Sequence, residues 1–518
     1  MVRKDRKKAK QEASKEKKDQ NAENVLDSEA GEIIDMNEAI KLLDTTRSTF
    51  YRWVREGQIK GMKVGRQWRF YREDIDRFMK GEEPRIDLPA NINPLIETLR
   101  TYAEQLDEED LPLSIDSGPP VLEAVNLMIL IADRMNASDI HLAPHLREAE
   151  MEAVGMLRYR VDGVLHTVAE IDIRLMSAII ARWKIMAKCD VHERQKPQDG
   201  RIPVRFPDTD RQMDMRVTFL PSGLGESFTV RIIDRSSQSL LELDALGFSP
   251  NDEEKISRWL KAPWGMIIVS GPTGSGKTTV LYSCLKHVAR PEVKILTAEN
   301  PVEFFLPWAV QVSVRPEDGF TFADALRSIL RSDPDIIMVG EIRDVETLDI
   351  AQQCALTGHL VIATMHVAGS VSVLRRMLEL GSPLYMVGES TKLVTSQRLV
   401  RKLCAECSIE QELSAELLEH AQKTVQIGGL DWDSLPKNFH KQIGCSNCKG
   451  TGYRGRTLIA ETLEVTPEIM AALRRDASNE EVREIAVKQG MTTMAADGIR
   501  KAAIGITSMT EAMRVAPV

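Results

Sequence analysis

The stretch Met266-Ile-Ile-Val-Ser-Gly-Pro-Thr-Gly-Ser-Gly-Lys-Thr-Thr279 restricts this chain more than any other. Its apolar run, Met266 to Val269, predicts a buried strand, and the run breaks at Gly271 into a glycine-rich turn. Gly271-x-x-x-x-Gly276-Lys277-Thr278 then matches the P-loop pattern without substitution. At Gly271, Gly274 and Gly276 backbone N–H groups can turn inward toward phosphate oxygens, where a Cβ would intrude. Lys277 is placed to reach the β- and γ-phosphates, and the Thr278 hydroxyl to ligate Mg²⁺. Pro272, Thr273, Ser275 and Thr279 complete the stretch. The helix predicted from Thr278 onward aims its positive end at the same anion. A strand before, a helix after, and Lys and Thr both in place imply that the chain binds a nucleoside triphosphate.

The 518 residues are enough for about three or four domains with sizeable cores. Apolar content of 43% and charged content of 28% are those of an ordinary globular protein. A net charge of −9 excludes a uniformly basic surface, so any basic patch must be local. No apolar run approaches the roughly 18 residues needed to span a bilayer. The N-terminal Met1-Val-Arg-Lys-Asp-Arg-Lys-Lys lacks the apolar core of a secretory signal. These features predict a cytoplasmic protein that meets a membrane only through partners.

Residues 1 to 30 are rich in Lys, Glu, Asp and Gln and predict a disordered, solubilising basic tail, its field diluted by interspersed acids. From Ile33 to Asp44 the apolar spacing is helical. A turn at Thr45-Thr46, a second helix and a stop at Gly57 follow, then a hairpin turning near Gly65 and a third helix over Tyr71–Lys80. Residues 31–82, with their Thr-Phe-Tyr-Arg-Trp and Val-Gly-Arg-Gln-Trp-Arg-Phe segments, resemble the small winged helix-turn-helix domains of excisionase and MerR-type regulators. In that resemblance Arg47, Arg52, Arg55, Lys60, Lys63, Arg66 and Arg69 are the candidate phosphate contacts. Such domains also serve as protein docking modules, so the implied partner is DNA or a protein. Residues 83–118, with six prolines counted through Pro120 and an acidic cluster, predict a linker containing a short helix.

A second globular unit is expected from 119 to 240. Val121–Met135 predicts an amphipathic helix, Ala137–Pro144 and Gly155–Leu165 predict strands with a tight turn at Asp162-Gly163, and Ile171–Lys188 predicts a helix. Pro197–Pro203, Met213–Leu220 and Ser227–Ile233 complete an α+β pattern. Arg216 and Arg231 alternate with apolar residues, so each points either into solvent and an ion pair or toward a partner surface.

Downstream of the P-loop, Val293–Ala298 is a second apolar strand ending in Glu299-Asn-Pro-Val-Glu303. Strand ends are where an α/β sheet presents carboxylates to a ligand. Ile336-Ile-Met-Val-Gly-Glu341 is a Walker-B-like strand, and its carboxylate suits a Mg²⁺ water shell or an attacking water. Ala355–His366 gives a further strand that ends in a histidine. Cys404-x-x-Cys407 and Cys445-x-x-Cys448 have the knuckle spacing of a tetrahedral Cys₄ Zn²⁺ site, structural because no open-site ligand such as a nearby His is evident. Cys189, Cys284 and Cys354 lie in apolar settings and are expected in the core.

Taken in order, Glu299-Asn-Pro-Val-Glu303, Asp333–Asp344 and Leu356–His366 are similar to the Asp box, Walker B and His box of the type II secretion and type IV pilus assembly ATPases. The likeness extends back through Ala137-Ser-Asp-Ile-His141, Pro197-Gln-Asp-Gly-Arg201 and Gly225-Glu226 and on to Ser396–Cys404, covering about residues 120 to 510. The resemblance implies a multidomain α/β protein. A RecA-like P-loop ATPase domain over 241–518, with a Cys₄ zinc subdomain at about 398–460, follows a PAS-like α+β domain and the winged helix-turn-helix. It implies a homohexamer with ATP, Mg²⁺ and Zn²⁺, powering pilus or pseudopilus assembly at the bacterial inner membrane with platform and cytoplasmic adaptor proteins. It further implies that Glu299, Glu303 and Glu341 serve hydrolysis, that Arg216 and Arg231 approach the γ-phosphate, and that His366 senses nucleotide state. In the family the zinc subdomain marks secretion and extension motors, and retraction motors commonly lack it. Asn300 departs from the family's Glu-Asp-Pro-x-Glu; an amide cannot act as a base, but three glutamates remain. Two further readings stay open: a DNA-linked regulator with an ATPase domain, and a competence or conjugation motor.

Overall fold

The computed structural model describes residues 32–64, 67–82, 88, 90–106, 119–147, 152–205, 212–234 and 242–516. The tail expected over 1–30, the turn near Gly65 and all of 107–118 fall outside the described residues. The chain divides after Asp234 into two compact units.

The first unit opens with β1 (Ile33–Asp35), α1 (Met36–Leu42), α2 (Arg47–Arg55), β2 (Met62–Val64), β3 (Gln67–Tyr71) and α3 (Arg72–Met79). The helix expected from Ile33 therefore starts three residues later. Asp35 accepts from the N–H groups of Asn37 and Glu38, while the Glu38 carboxylate accepts from Asp35 N–H. That capping box fixes the start of α1 and leaves Ile33–Asp35 to pair antiparallel with β3. Phe50, Val54, Ile59, Phe70 and Ile75 are buried between the helices and the small sheet. Burial of this kind contributes roughly 2 kcal/mol per large apolar side chain.

The same unit continues with α4 (Asn93–Gln105), α5 (Pro120–Arg134), β4 (Asp139–Leu146), β5 (Ala153–Val161), β6 (Val164–Asp172), α6 (Ile173–Met186), β7 (Gln198–Arg205), β8 (Gln212–Ser222) and β9 (Gly225–Asp234). The strands form an antiparallel sheet in the order β6-β5-β4-β9-β8-β7. Asp162 and Gly163, at φ 46° and 84°, turn β5 into β6. Residues 93–105 are not linker: Leu95, Ile96, Leu99 and Ala103 join the same core as α5 and the sheet, because one apolar stripe on a helix must be covered. Helix α5 is amphipathic as expected: Val121, Ala124, Val125, Leu127, Met128, Ile129, Ile131 and Ala132 enter that core, while Glu123, Asn126, Asp133 and Arg134 share the opposite, half-buried face. The helix expected from Ile171 begins at Ile173, since β6 runs on to Asp172 and the Asp172 carboxylate caps Arg174 N–H.

The second unit contains α7 (Pro250–Leu260), β10 (Gly265–Ser270), α8 (Lys277–Val288), β11 (Ile295–Glu299), β12 (Ala309–Ser313), α9 (Phe322–Leu330), β13 (Ile336–Val339), α10 (Val345–Leu356), β14 (Leu360–Met365), α11 (Ser370–Glu379), α12 (Leu384–Ser390) and β15 (Thr391–Leu403). It ends with β16 (Ile409–Glu410), α13 (Ala415–Ile427), β17 (His440–Lys441), β18 (Tyr453–Glu464), α14 (Pro467–Arg474), α15 (Asn479–Lys488), α16 (Met494–Ala503) and α17 (Met509–Val515). Seven strands form one sheet in the order β12-β11-β13-β14-β10-β15-β18, parallel except for β18. Both faces are covered, so β10 is apolar from Met266 to Val269. Met266 and Ile268 enter one core with α9 to α12, while Ile267 and Val269 enter the other with α7 and α8. Strand β14 lies between β10 and β13. The topology therefore places the ends of the P-loop strand, the His366 strand and the Glu341 strand side by side.

Candidate functional site

Strand β10 releases the chain at Gly271, whose φ of 145° suits glycine; a Cβ there would lie 2.4 Å from Gln397 O and 2.7 Å from Ser275 Oγ. Gly276, at φ 85°, caps α8, and Gln397 Nε2 on β15 donates to Ser275 O at 2.8 Å. The loop is thus held from the neighbouring strand. Lys277 is 9% exposed, and its Nζ donates to Gly271 O at 2.8 Å and Pro272 O at 2.9 Å. Burial lowers its pKa, against the field of Glu341. Pro272, Thr273, Gly274, Thr278 and Thr279 are exposed at the mouth of the loop.

His366, just past the end of β14, places Nδ1 3.3 Å from Lys277 Nζ and Nε2 3.2 Å from Glu341 Oε2. Burial, then the Lys277 charge, lower its pKa below the ordinary imidazole value. Glu341 is fixed by the turn after β13: Ile342 N–H donates to Thr364 O at 2.9 Å, and Thr364 Oγ1 to Gly340 O at 2.5 Å. Arg343 Nε lies 2.6 Å from the same Glu341 oxygen. Beside this group is a cavity of about 460 Å³ lined by Thr273, Arg343, His366 and Arg376. The fold therefore brings together three expected residues, Lys277, Glu341 and His366, from separate strand ends. Arg343 and Arg376 were not singled out from sequence. Arg343 had a signal, its place two residues after Glu341; Arg376 had none, because only the packing of α11 brings it there.

Glu299, expected at its strand end as a carboxylate presented to a ligand, is instead buried. At 4% exposure it accepts from the Tyr282 hydroxyl, from Thr297 Oγ1 at 2.6 Å and from Gln311 Nε2 at 3.0 Å. Glu303 is half-buried, and Asn300 stands exposed just beyond β11 with a cis peptide bond to Pro301.

The two cysteine pairs meet because β15 and β18 run antiparallel and deliver both knuckles to one end of the sheet. Cys404–Cys445, Cys407–Cys448 and Cys445–Cys448 sulfurs are 3.8, 3.7 and 3.7 Å apart. A tetrahedron with Zn–S bonds of about 2.3 Å has sulfur edges of about 3.8 Å. Gly444 N–H donates to Cys407 Sγ, and the N–H groups of Cys445 and Gly452 to Cys448 Sγ, which suits thiolates. The four residues fit a Cys₄ zinc ion. Residues 415–427 between the knuckles form α13.

In the first unit, Arg216 on β8 pairs in register with Arg231 on β9. Arg231 Nε donates to Asp139 Oδ1 at 3.1 Å. On α2, Arg47, Arg52 and Arg55 are exposed, and Arg55 Nε lies 3.3 Å from Asp190 Oδ2 in the loop after α6. Arg69 Nη2 donates to Gln67 Oε1 at 3.0 Å, and Lys60 is half-buried. Arg66 and the side chain of Lys63 fall outside the described residues.

Comparison with known proteins adds the following. Residues 115–514 match the family described as Type II/IV secretion system protein, and residues 34–83 match a helix-turn-helix domain family. The type IV pilus assembly ATPase PilB of Pseudomonas aeruginosa is 41% identical over 80% of this chain and 70% of its own length. The type II secretion system protein HxcR of the same organism is 38% identical over 82% of each chain. Among solved structures, the ATPase DotB of Legionella pneumophila has a TM-score of 0.53 at 22% identity, covering 75% of this chain and 94% of its own. DotB of Yersinia pseudotuberculosis has a TM-score of 0.55 at 21% identity, covering 79% of this chain and 96% of its own. These two show the likeness of fold. No helix among the described residues is long and apolar enough to cross a membrane.

Proposed function

This chain belongs to the type II/IV secretion system protein family, and on that premise we propose that it is an ATP-hydrolysing ring hexamer that drives assembly of a type IV pilus or a type II secretion pseudopilus at the inner membrane. The observation that carries the reading is the line Lys277–His366–Glu341, which links the phosphate loop to a carboxylate through one imidazole. The loop N–H groups and the α8 N-terminus bind the phosphates, and Lys277 neutralises the outer ones. Thr278, exposed at the start of α8, and Glu341 are the residues that would hold Mg²⁺, which would supply charge neutralisation to the bound triphosphate. Glu341 also orients and polarises the attacking water, and His366 reports whether the γ-phosphate is present. Arg216 and Arg231 act as arginine-finger-like cations on the transferred phosphoryl group. The zinc knuckle braces the β15–β18 end of the motor domain.

The hexamer works with an inner-membrane platform protein and a cytoplasmic adaptor, which confine it to the cytoplasmic face. The 119–240 region is read as the PAS-like domain, and the β2–β3 hairpin as the wing of a winged helix-turn-helix. Nine residues of α2 that carry Arg47, Arg52 and Arg55 and no acid favour a DNA or acidic-protein partner there. Deletion of the gene, scoring surface pili, secreted protein and DNA uptake together, separates the pilus, secretion and competence versions. Intact function in all three would reject the assembly reading. Salt-sensitive binding of duplex DNA by the full chain tests the α2 surface.

A further inference from the structure

The six-stranded sheet carries a single row of charged residues that no role above accounts for in full. Register pairs Arg201 on β7 with Arg216 on β8, Arg216 with Arg231 on β9, Arg231 with Asp139 on β4, and Asp139 with Arg160 on β5. Residues opposite one another on adjacent strands share a face. The neighbouring residues Ile140, Val217, Val230 and Tyr159 are fully or almost fully buried in the core on the other face, beneath α5 and α6. The row therefore lies on the face away from the helices. Like charges directly opposite on paired strands are unfavourable, yet Arg216 faces an arginine on either side.

Two buried carboxylates frame this arrangement. Asp214, 4% exposed, accepts from Arg201 Nε at 2.7 Å. Asp139, 5% exposed, accepts from Arg231 Nε through Oδ1 at 3.1 Å. Its other oxygen, Oδ2, accepts from Ser138 Oγ at 2.8 Å and lies 3.7 Å from Arg160 Nε. Arg231 is itself 62% exposed along its side chain. A guanidinium gripped at Nε by a buried carboxylate keeps its outer edge for two parallel N–H bonds to a phosphate. The carboxylate also restricts the rotamers of a long side chain before the anion arrives, so less ordering remains for the transition state.

We propose that Asp139 is the positioning residue of Arg231, held in turn by Ser138, so that the Ala137-Ser-Asp-Ile-His141 segment serves to aim an arginine at the transferred phosphoryl group. The proposal rests on the reading of Arg231 as a cation acting on that group. An arginine aimed in advance contributes to the transition state more than to ATP binding, so its loss is read in kcat rather than KM.

The test uses the full-length assembled protein and compares wild type, Asp139→Asn, Arg231→Ala and the double variant in steady-state ATP hydrolysis. Asp139→Asn is expected to lower kcat about tenfold with KM changed less than about threefold, and to add nothing in the Arg231→Ala background. Wild-type kcat in Asp139→Asn, or losses that multiply in the double variant, would overturn the positioning role. Wild-type turnover in Arg231→Ala would instead remove the arginine reading, and this proposal with it. Should Asp139→Asn lose its oligomer, Ser138→Ala removes one donor to the same carboxylate and must show a smaller loss with the same kcat-over-KM pattern; an unchanged kcat there overturns the proposal.

Discussion

His366 Nε2 lies 3.2 Å from Glu341 Oε2 while its Nδ1 lies 3.3 Å from Lys277 Nζ. An ammonium can only donate, so Nδ1 accepts and Nε2 carries the proton toward the carboxylate. This is the neutral imidazole. Protonation would put a second positive charge against Lys277. Burial, then Lys277, hold the pKa of His366 below 6.5. A lowered histidine pKa means that the neutral form, and the stability tied to it, is fully present above the ordinary value of about 6.5 and is lost as the pH falls toward the lower folded value. We expect kcat to fall on the acid side only below about pH 6.5, and this limb to disappear in His366→Gln. An acid limb centred above that value, or one unchanged in the variant, contradicts the assignment.

Lys277→Ala is expected to abolish hydrolysis and weaken ATP binding, because the loop carbonyls it now bridges cannot replace its charge. Glu341→Gln is expected to retain ATP binding and lose about 100-fold or more in kcat, the amide being unable to polarise water. Equilibrium nucleotide binding measured beside turnover distinguishes the two variants. Undiminished turnover in purified Lys277→Ala sinks the ATPase reading.

Glu299 and Tyr282 form a buried pair, with burial and then the Glu299 charge raising the tyrosine pKa. Tyr282→Phe leaves the carboxylate short of a donor and should cost about 1–3 kcal/mol of stability. Glu299→Gln should act in the same direction, visible in chemical denaturation. If Glu299→Gln instead eliminated kcat with stability intact, Glu299 would be meeting the nucleotide directly.

The sulfur cluster should hold about one zinc per chain by elemental analysis. Cys445→Ser is expected to release the metal and lower the melting temperature by roughly 5 °C or more. Metal-free wild-type protein with four reactive thiols would exclude the site.

The sequence alone determined the phosphate loop, the two cysteine knuckles and the acidic strand end at Glu341. Each is a local pattern whose spacing suits one kind of ligand. It also determined strand identity where an apolar run was unbroken, as from Met266 to Val269 of β10. Other features depended on how strands far apart in the chain were brought together. The order β13-β14-β10 is what sets His366 between Lys277 and Glu341, and no periodicity records strand order. Glu299 looked like an active carboxylate because it ends a strand, but Tyr282, Thr297 and Gln311 all donate to it in a buried setting. Helix α4 looked like linker because prolines flank it, yet its apolar stripe found the core of the first unit. The row from Arg201 to Arg160 exists only through register across five strands. Local chemistry is written in neighbouring residues, whereas the company a side chain keeps is fixed by burial and strand pairing.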